Sequence, residues 1–192
     1  MRSQPWVATT LFAVIAFGGG YAARLYESGT DVSGGSTGAL VDLRARYYFS
    51  PRGGCTQAIV AEIDAAKNTI ELEGYAFTSK AIGNALLSAH QRGVNVKLVL
   101  DASKSNEDRR EVDYVARRGV PVYLDARHAI FHNKVVLIDD RTLITGSFNF
   151  TRAAEEENAE NIVILHDQPK LQSAYEDNFR EHLSHSERYE GR

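Results

Sequence analysis

The sequence predicts an α/β domain in which a mixed, mostly parallel sheet is sandwiched between helices. Short apolar segments rich in β-branched residues alternate with segments whose apolar residues recur every three or four positions, a pattern typical of strands joined by helices. The chain has 192 residues, of which 43% are apolar, so it can bury a substantial core in one domain. The early strand–helix alternation favours parallel pairing, and a late hairpin adds antiparallel strands.

The predicted strands span residues 45–49, 69–77, 94–100, 120–124, 130–139, 142–149 and 162–165. The predicted helices span residues 56–67, a segment that begins after residue 79, residues 107–118, and a closing segment marked by Leu171, Tyr175 and Phe179. Ser50-Pro51 ends the first strand, because proline lacks the N–H that a strand interior needs. The hydroxyl of Thr78 or Ser79 can cap the second helix. Gly93 and Gly119 end the second and third helices.

The N-terminal segment predicts export. Arg2 precedes an apolar run over residues 6–17, and glycines and alanines follow it, which is the order of parts in a secretory signal. We interpret residues 1–23 as a signal peptide, or as an uncleaved anchor that contacts the membrane. A cleaved protein would be periplasmic or secreted. Residues 24–44, which contain a glycine- and serine-rich run, are predicted to be a flexible linker, and residues 45–192 the folded domain.

Charge and cysteine content exclude several classes of protein. The single cysteine, Cys55, excludes an internal disulfide and a cysteine-rich zinc or iron–sulfur cluster. A formal net charge of -3 excludes a histone-like protein that coats nucleic acid by bulk charge. Residues 155–192 hold ten acidic side chains against four basic ones, so a polyanionic substrate would meet the earlier part of the chain. The candidates for that basic surface, which could equally be solvated helix faces and loops, are Lys97, Lys104, Arg109, Arg110, Arg117, Arg118 and Arg127.

Four polar side chains are predicted to converge at one end of the late hairpin. His132 and Lys134 lie two positions apart on one strand, and Ser147 and Asn149 lie two apart on the next, so each pair shares a face. A two-residue turn at Asp140-Arg141 would set His132 opposite Asn149 and Lys134 opposite Ser147. A turn with an odd number of residues would send the second pair to the opposite face.

Such a cluster suits phosphoryl transfer without a metal. Lys134 and Asn149 can donate hydrogen bonds to a phosphate, Ser147 adds a hydroxyl, and His132 can attack phosphorus or pass a proton. The sequence shows no carboxylate and histidine pattern of the kind that a two-metal phosphodiesterase needs, so neither a metal nor a cofactor is predicted. The alternative is an ordinary strand that carries a surface histidine and lysine beside a turn.

The spacing of these residues resembles the signature of the phospholipase D superfamily, which reads His-x-Lys, four residues, Asp, six residues, Gly-Ser-x-Asn. Every defining position is filled, by His132, Lys134, Asp139, Gly146, Ser147 and Asn149. From about Tyr47 to Leu183 the chain is similar to the small bacterial endonucleases of that superfamily, which carry one motif, are exported and cut DNA without a metal. A phospholipase D-like fold is therefore expected.

The resemblance implies a role for each site residue. His132 would be the nucleophile that forms a phosphohistidine, and Lys134 and Asn149 would hold the phosphate oxygens with help from Ser147. Glu160 would orient the catalytic imidazole, unless it is a solvated member of the acidic run before it. Asp139, the remaining motif residue, would support the strand end and the local charge balance without touching substrate. The other histidines are expected to have no partner, or in the case of His128 to lie outside the cleft; they are His90, His128, His166, His182 and His185.

The resemblance also implies a metal-independent phosphodiesterase, most simply a non-specific endonuclease that cleaves DNA or RNA. Two alternatives remain: a phospholipase D that acts on phospholipid head groups, and a non-catalytic nucleic-acid-binding module. The mechanism needs a second group to protonate the leaving oxygen, and the chain has one motif. We therefore expect a homodimer with its active site on the two-fold axis, where a second copy of His132 completes the site. The rival is a monomer that uses His128 as the acid.

Overall fold

The computed structural model describes residues 45–103 and 109–192, which form an eight-stranded sheet with helices on both faces. The strands are β1 (Ala45–Phe49), β2 (Thr69–Gly74), β3 (Asn95–Asp101), β4 (Val122–Asp125), β5 (Lys134–Ile138), β6 (Thr142–Gly146), β7 (Asn161–His166) and β8 (Glu187–Tyr189). The helices are α1 (Cys55–Ala65), α2 (Lys80–Gln91), α3 (Arg110–Ala116), α4 (Arg152–Glu156) and α5 (Pro169–His185). The predicted targeting segment and linker lie outside the described residues, as does Lys104. Among the helices of these two ranges, none is both long enough and apolar enough to cross a bilayer.

The predicted class, a mixed sheet between helices, is confirmed, but the balance of strand directions differs. The strand order is β1-β7-β6-β5-β2-β3-β4-β8. Within the described chain, β2 pairs with β3 and β3 with β4 in parallel, and the other five pairings are antiparallel. The expectation of a mostly parallel sheet is therefore wrong. Helices join the early parallel strands, whereas the β5–β6 hairpin and the returning strand β7 reverse direction, and β1 and β8 close both edges antiparallel.

The two faces of the sheet are buried by different helices. Val136 and Ile138 of β5 join the larger core cluster, which also contains residues of α1, α2 and α3. Val135 and Leu137 point the other way and join a second cluster with Phe179 of α5. All five residues of β5 are buried, which explains why this strand reads as a continuous apolar run after its first residue. On β5 the polar side chain, Lys134, stands at the first position of the strand.

Local capping signals set the helix boundaries as predicted. The Ser79 hydroxyl accepts a hydrogen bond from the backbone N–H of Ile82, so Ser79 is the cap of α2. Gly93 and Gly119 have φ of 89° and 92°, the left-handed conformation with which glycine commonly follows a helix. The predicted start of α3, at residue 107, falls in the part of the chain that the structure does not describe. Strand β8 was not predicted, because its three residues carry no apolar alternation.

The β5–β6 hairpin differs from the two-residue turn considered above. Ile138 pairs with Thr142, so the turn has three residues, 139–141, and the predicted register is wrong by one residue. Asp139 and Asp140 have φ of 52° and 53°, a left-handed conformation that Asp tolerates better than most residues. Strand β6 ends at Gly146, three residues earlier than predicted, and Phe148 is wholly buried. Ser147 and Asn149 therefore lie beyond the strand, where strict alternation of faces no longer applies.

Gly146 provides a test of this packing. It pairs with Ile162 of β7, and a Cβ at this position would lie 2.1 Å from the backbone oxygen of Asn161. Backbone cannot yield as a flexible side chain can, so Gly146→Ala is expected to lower the free energy of unfolding by about 3 kcal/mol in chemical denaturation. Gly74→Ala is the control, because its Cβ would lie 3.1 Å from the side chains of Leu100 and Phe150, which can shift by a few tenths of an ångström more readily than backbone can. Equal stability of the two variants would contradict the close approach.

Candidate active site

Two of the predicted catalytic residues, His132 and Lys134, line a cleft where β5 begins. The cleft has a volume of about 410 Å³, and residues of β5, β6 and α5 line it. His132, Lys134 and Gly146 of the motif contribute to its wall, opposite Tyr175 and Asn178 of α5. Because β2 and β5 are antiparallel, the last residue of β2, Gly74, pairs with Lys134. The start of β5 thus lies on the same side of the sheet as the carboxyl ends of the parallel strands.

The imidazole of His132 is exposed at this edge. Its ring centroid lies 4.7 Å from that of Tyr75, at an interplanar angle of 54°. Within the described residues, neither ring nitrogen of His132 has a hydrogen bond to a protein group. The imidazole is therefore held by ring packing and by its backbone, and both nitrogens are open to a ligand.

Lys134 places a buried ammonium group beside His132. The side chain is largely buried, and its Nζ donates a hydrogen bond of 2.7 Å to the backbone carbonyl of His132. The same Nζ lies 5.4 Å from the centroid of the Tyr75 ring. A cation held in a fixed, partly desolvated position attracts a phosphate more strongly than one in water.

Ser147 and Asn149 follow directly on Gly146. Ser147 is exposed, and its Oγ accepts hydrogen bonds from the backbone N–H and the side-chain amide of Asn161, at 3.2 and 3.4 Å. The Asn149 Oδ1 is buried and has no hydrogen-bond partner in the part of the chain that the structure covers. An unpaired buried amide oxygen costs free energy, and native proteins retain such groups mostly where a ligand or water uses them.

Glu160 makes no hydrogen bond to His132 within one chain. Its carboxylate accepts a hydrogen bond of 3.3 Å from the side chain of Asn158, and its backbone N–H donates to the hydroxyl of Ser50. The acidic run before it is not simply solvated, because the carboxylate of Glu155 accepts hydrogen bonds from backbone N–H groups at the start of α1. The orienting role implied for Glu160 therefore needs a contact that a single chain does not make.

Asp139 lies at the opposite end of β5, about 17 Å from Lys134 along the strand. Its carboxylate accepts hydrogen bonds of 2.7 to 2.9 Å from the backbone N–H groups of Lys67, Asn68 and Thr69. Partial burial acts to raise the pKa of Asp139, but these three donors outweigh it and hold the pKa below its usual value. The structure thus places Asp139 in a loop-anchoring position, away from the cleft.

Three buried carboxylates that the sequence analysis did not single out stand at the carboxyl ends of neighbouring parallel strands. We call Glu73 of β2, Asp101 of β3 and Asp125 of β4 the carboxylate row; each is no more than 3% exposed. A sequence signal exists, because each acidic residue is the last or next-to-last residue of a strand rich in apolar residues, but acidic residues at strand ends are common.

The carboxylate row fixes the segment that leads to His132. Asp101 accepts a hydrogen bond of 2.7 Å from the backbone N–H of Phe131. Glu73 accepts one of 2.8 Å from the side-chain amide of Asn133. The residues on either side of His132 are therefore tied to buried charges, which positions a histidine that belongs to no regular element.

Histidines of α5 bind the same carboxylates, so the prediction that they lack partners is wrong. The Nδ1 of His182 lies 2.7 Å from Glu73, and the Nε2 of His185 lies 2.9 Å from Asp125. His128 also contacts Asp125, at 3.0 Å. Burial acts to raise the pKa of Asp125, but hydrogen bonds from the backbone and ring of His128 and from the ring of His185 outweigh it and lower the pKa to about 2. The contacts of His182 and His185 join residues more than fifty positions apart, which no local pattern encodes, whereas His128 contacts a residue three positions before it.

His166 also has partners, contrary to the prediction. Its Nδ1 lies 3.1 Å from the hydroxyl of Thr142, and its Nε2 lies 3.3 Å from the Arg46 guanidinium. Among the predicted basic-surface residues, Arg109 is buried and donates to the backbone carbonyl of Ala102, so its assignment to a substrate-facing surface is wrong. The Arg118 guanidinium, in the turn after α3, lies 3.9 Å from the ring centroid of Tyr114 in that helix.

Cys55 is not a rival nucleophile. It is wholly buried at the start of α1. Burial, reinforced by the nearby negative charge of Glu155, raises the pKa of its thiol to about 11. The thiol therefore stays protonated at neutral pH and is unreactive.

Comparison with known proteins agrees with the fold and the motif. The family model described as "Cardiolipin synthase, PLD-like domain" matches residues 59–183. A phospholipase D of Rickettsia typhi is 36% identical over 161 residues, which cover 77% of this chain and 79% of that protein. A phospholipase D of Rickettsia conorii is 40% identical over 125 residues, which cover 65% of this chain and 62% of that protein.

Comparison with a solved structure also agrees with the fold. The crystal structure of Nuc, a phospholipase D family member from Salmonella typhimurium, superposes with a TM-score of 0.74 at 34% sequence identity, covering 77% of this chain and 99% of Nuc. The chain therefore belongs to the PLD-like domain family, within the phospholipase D superfamily.

Asp139→Asn tests the anchoring contact. The amide keeps one acceptor oxygen but turns an N–H₂ group towards the N–H of Lys67, so the free energy of unfolding at pH 7 should fall by about 1–3 kcal/mol. Because the folded pKa of Asp139 is lowered, its contribution is complete above the unfolded pKa of about 4 and is lost as the pH falls through the folded pKa. The stability gap between wild type and variant should therefore close in acid. Asp140→Asn, at an exposed position with nearly the same φ, serves as the control; a pH-independent gap would refute the assignment.

Proposed function

We propose that this protein cleaves nucleic acid as a metal-independent phosphodiesterase with His132 as the nucleophile. The state of the His132 imidazole carries the proposal: it is exposed at the cleft, and none of the described protein groups hydrogen-bonds to its ring. The buried ammonium of Lys134 stands beside it. An accessible imidazole next to a fixed cation can attack the phosphorus of a bound anionic diester.

The reaction would proceed in two displacements. A ring nitrogen of His132 attacks phosphorus, the bond from phosphorus to the leaving oxygen breaks, and a general acid protonates that oxygen. Water then attacks the phosphohistidine, gives up its proton to the same group, and releases a phosphate monoester with the imidazole restored. Lys134 and the Asn149 amide, with the hydroxyl of Ser147, would stabilise the charge on the phosphate oxygens.

An exposed aromatic pair near the cleft supports a nucleic acid substrate. Tyr47 and Phe49 of edge strand β1 are 69% and 62% exposed, and their ring centroids are 5.8 Å apart. Tyr47 pairs with Val163, which pairs with Thr145 of the cleft wall, so all three share one face of the sheet and Tyr47 lies about 10 Å from Thr145. Aromatic rings beside a phosphate site can stack on the bases of a single strand.

Phospholipid head-group hydrolysis is the second candidate. It is favoured by the relatives from Rickettsia typhi and Rickettsia conorii, which carry the name phospholipase D. Both substrates contain a phosphodiester, so the same four side chains would perform the same two displacements. What separates the two is the surface outside the cleft that contacts the rest of the substrate.

A symmetric homodimer would complete the site. The displacement needs a general acid, and among the described groups of a single chain none hydrogen-bonds to the His132 imidazole. A two-fold axis at the cleft would bring in a second His132 and a second Glu160, so that Glu160 of one protomer could orient the imidazole of the other. Residues 1–23 would direct export to the periplasm or beyond, or anchor the protein, with residues 24–44 as the linker.

The substrate and the metal requirement can be measured together. Purified protein is incubated in excess EDTA with plasmid DNA, single-stranded DNA, RNA or phosphatidylcholine vesicles. Cleavage of nucleic acid is expected to persist in EDTA, because Lys134 and Asn149 supply the charge and hydrogen bonds that a metal would otherwise provide. Activity that disappears and returns with Mg²⁺ would overturn the mechanism, and hydrolysis of the lipid alone would favour the second candidate.

Substitution of Tyr47 and Phe49 tests whether this aromatic pair contributes to binding of single-stranded nucleic acid. Tyr47→Ala with Phe49→Ala should weaken cleavage of single-stranded substrate about tenfold or more, since each lost stacking contact costs roughly 1–3 kcal/mol. Leu171→Ala, which removes a partly exposed apolar side chain from α5, is the control. An unchanged KM for single strands would remove this support.

The site assignment predicts a graded set of losses. His132→Ala should lower kcat by about 10³-fold or more, because it removes the nucleophile, and Asn149→Ala should lower it by about 10²-fold. The His132→Ala variant should unfold near the wild-type temperature, since His132 is exposed. His90→Ala in α2 is the control. Near-normal turnover of His132→Ala would show that the site lies elsewhere.

The dimer can be tested by mixing subunits. If two copies of His132 share one site, wild-type and His132→Ala chains combined at random should show activity that falls as the square of the wild-type fraction. Independent monomers would give a linear dependence. Sedimentation should also show about twice the chain mass of 21.3 kDa, and a fully active monomer would refute the composite site.

A further inference from the structure

A cluster of histidines lies at the carboxyl end of β4, apart from the catalytic motif. Asp125 ends β4, His128 follows in the loop, and His185 ends α5. The Oδ2 of Asp125 lies 3.0 Å from the Nδ1 of His128 and 2.9 Å from the Nε2 of His185. The three ligand atoms lie within 4.8 Å of one another. Polar atoms from the end of β4, the following loop and the end of α5 thus converge on one position.

The carboxylate in this cluster is already oriented. The other oxygen of Asp125, Oδ1, accepts hydrogen bonds from the backbone N–H groups of Arg127 and His128, at 2.9 and 3.1 Å. Its side chain is wholly buried. Oδ2 is therefore fixed towards the two imidazoles, and ligands held by neighbouring groups in this way are typical of metal sites.

A third imidazole borders the cluster. The ring centroid of His182 lies 5.4 Å from that of His128 and 5.8 Å from that of His185, and those two are 5.4 Å apart. Three imidazoles bound to one tetrahedral zinc would have ring centroids about 5 Å apart. Glu73 binds Nδ1 of His182 at 2.7 Å, the carboxylate–histidine contact that commonly accompanies ligation through the other nitrogen.

We propose that Asp125, His128 and His185 bind a divalent transition-metal cation of the zinc type, with His182 next to an open coordination position. Two imidazoles and a carboxylate suit Zn²⁺, Co²⁺ or Ni²⁺, whereas Mg²⁺ and Ca²⁺ prefer oxygen ligands alone. The cation would replace the protons that the two imidazoles share with Asp125 and release them to solvent. The exposed Arg127, whose Nη1 lies 3.5 Å from the Nδ1 of His185, would turn outward.

Metal at this position would have a structural effect. It would tie the end of α5 to β4 and to residues 126–131, which lead to His132. Because it binds the folded state, it would raise the unfolding temperature in proportion to the logarithm of its concentration. The site is separate from the His132 cleft, so EDTA would remove this stabilisation and leave the chemistry of His132 in place.

The test uses the full chain, freed of metal with chelator and then titrated with ZnCl₂ or CoCl₂. Calorimetry is expected to show one site per chain, Co²⁺ should develop the visible absorption of a low-coordinate complex, and Zn²⁺ should raise the unfolding temperature. MgCl₂ should do none of these. The readout does not involve catalysis, so its failure is distinct from a failure of the proposed nuclease activity.

Variants decide whether these residues are the ligands. His128→Gln removes a partly exposed ligand with little risk to folding, and it should weaken Zn²⁺ binding at least tenfold, as should His185→Gln. His132→Ala and His90→Gln are the controls and should bind as wild type does. Absence of saturable binding to the wild type, or full affinity in both His128→Gln and His185→Gln, would overturn the proposal.

Discussion

The carboxylate row is the constraint on which the candidate site depends. Burying three carboxylates is costly unless every one is hydrogen-bonded, and here the donors come from the segment before β5 and from α5. A shift of that segment would leave buried charge unpaired. The backbone around His132 is therefore held firmly although it belongs to neither helix nor strand, and the imidazole can stay exposed without losing its position.

The position of the carboxylate row follows from the directions of the strands in the sheet. With helices on both faces, the buried strand β5 carries its polar residue, Lys134, at its first position. Strands β2, β3 and β4 are parallel, so their carboxyl ends meet at one edge, and antiparallel β5 begins at that same edge. Strand direction brings the carboxylates at or next to the ends of three strands together with His132 and Lys134, which stand just before and at the start of a fourth. The same edge holds the proposed metal site, which would reinforce it from the side of β4.

The motif glycine shows how one residue serves both packing and chemistry. Gly146 allows β6 to approach the backbone of Asn161 more closely than any side chain would permit. Phe148 then enters the core, while Ser147 hydrogen-bonds to Asn161, and the Asn149 amide oxygen has no hydrogen-bond partner among the described residues. The spacing Gly-Ser-x-Asn is thus explained by a close backbone contact and a buried anchor between two polar residues.

The sequence by itself determined the class of fold, most element positions and the motif, because apolar periodicity, glycine and proline signals and residue spacing are local properties. It also separated Asp139 from the substrate-binding residues. Only the tertiary structure decided the antiparallel excess, the three-residue turn, the burial of Arg109 and the partners of His128, His182 and His185. These depend on contacts between residues far apart in the chain, such as Glu73 with His182, and on a turn whose length is set by side-chain anchoring of Asp139. Such contacts are selected by the packing of the whole sheet, and no short stretch of sequence carries that information.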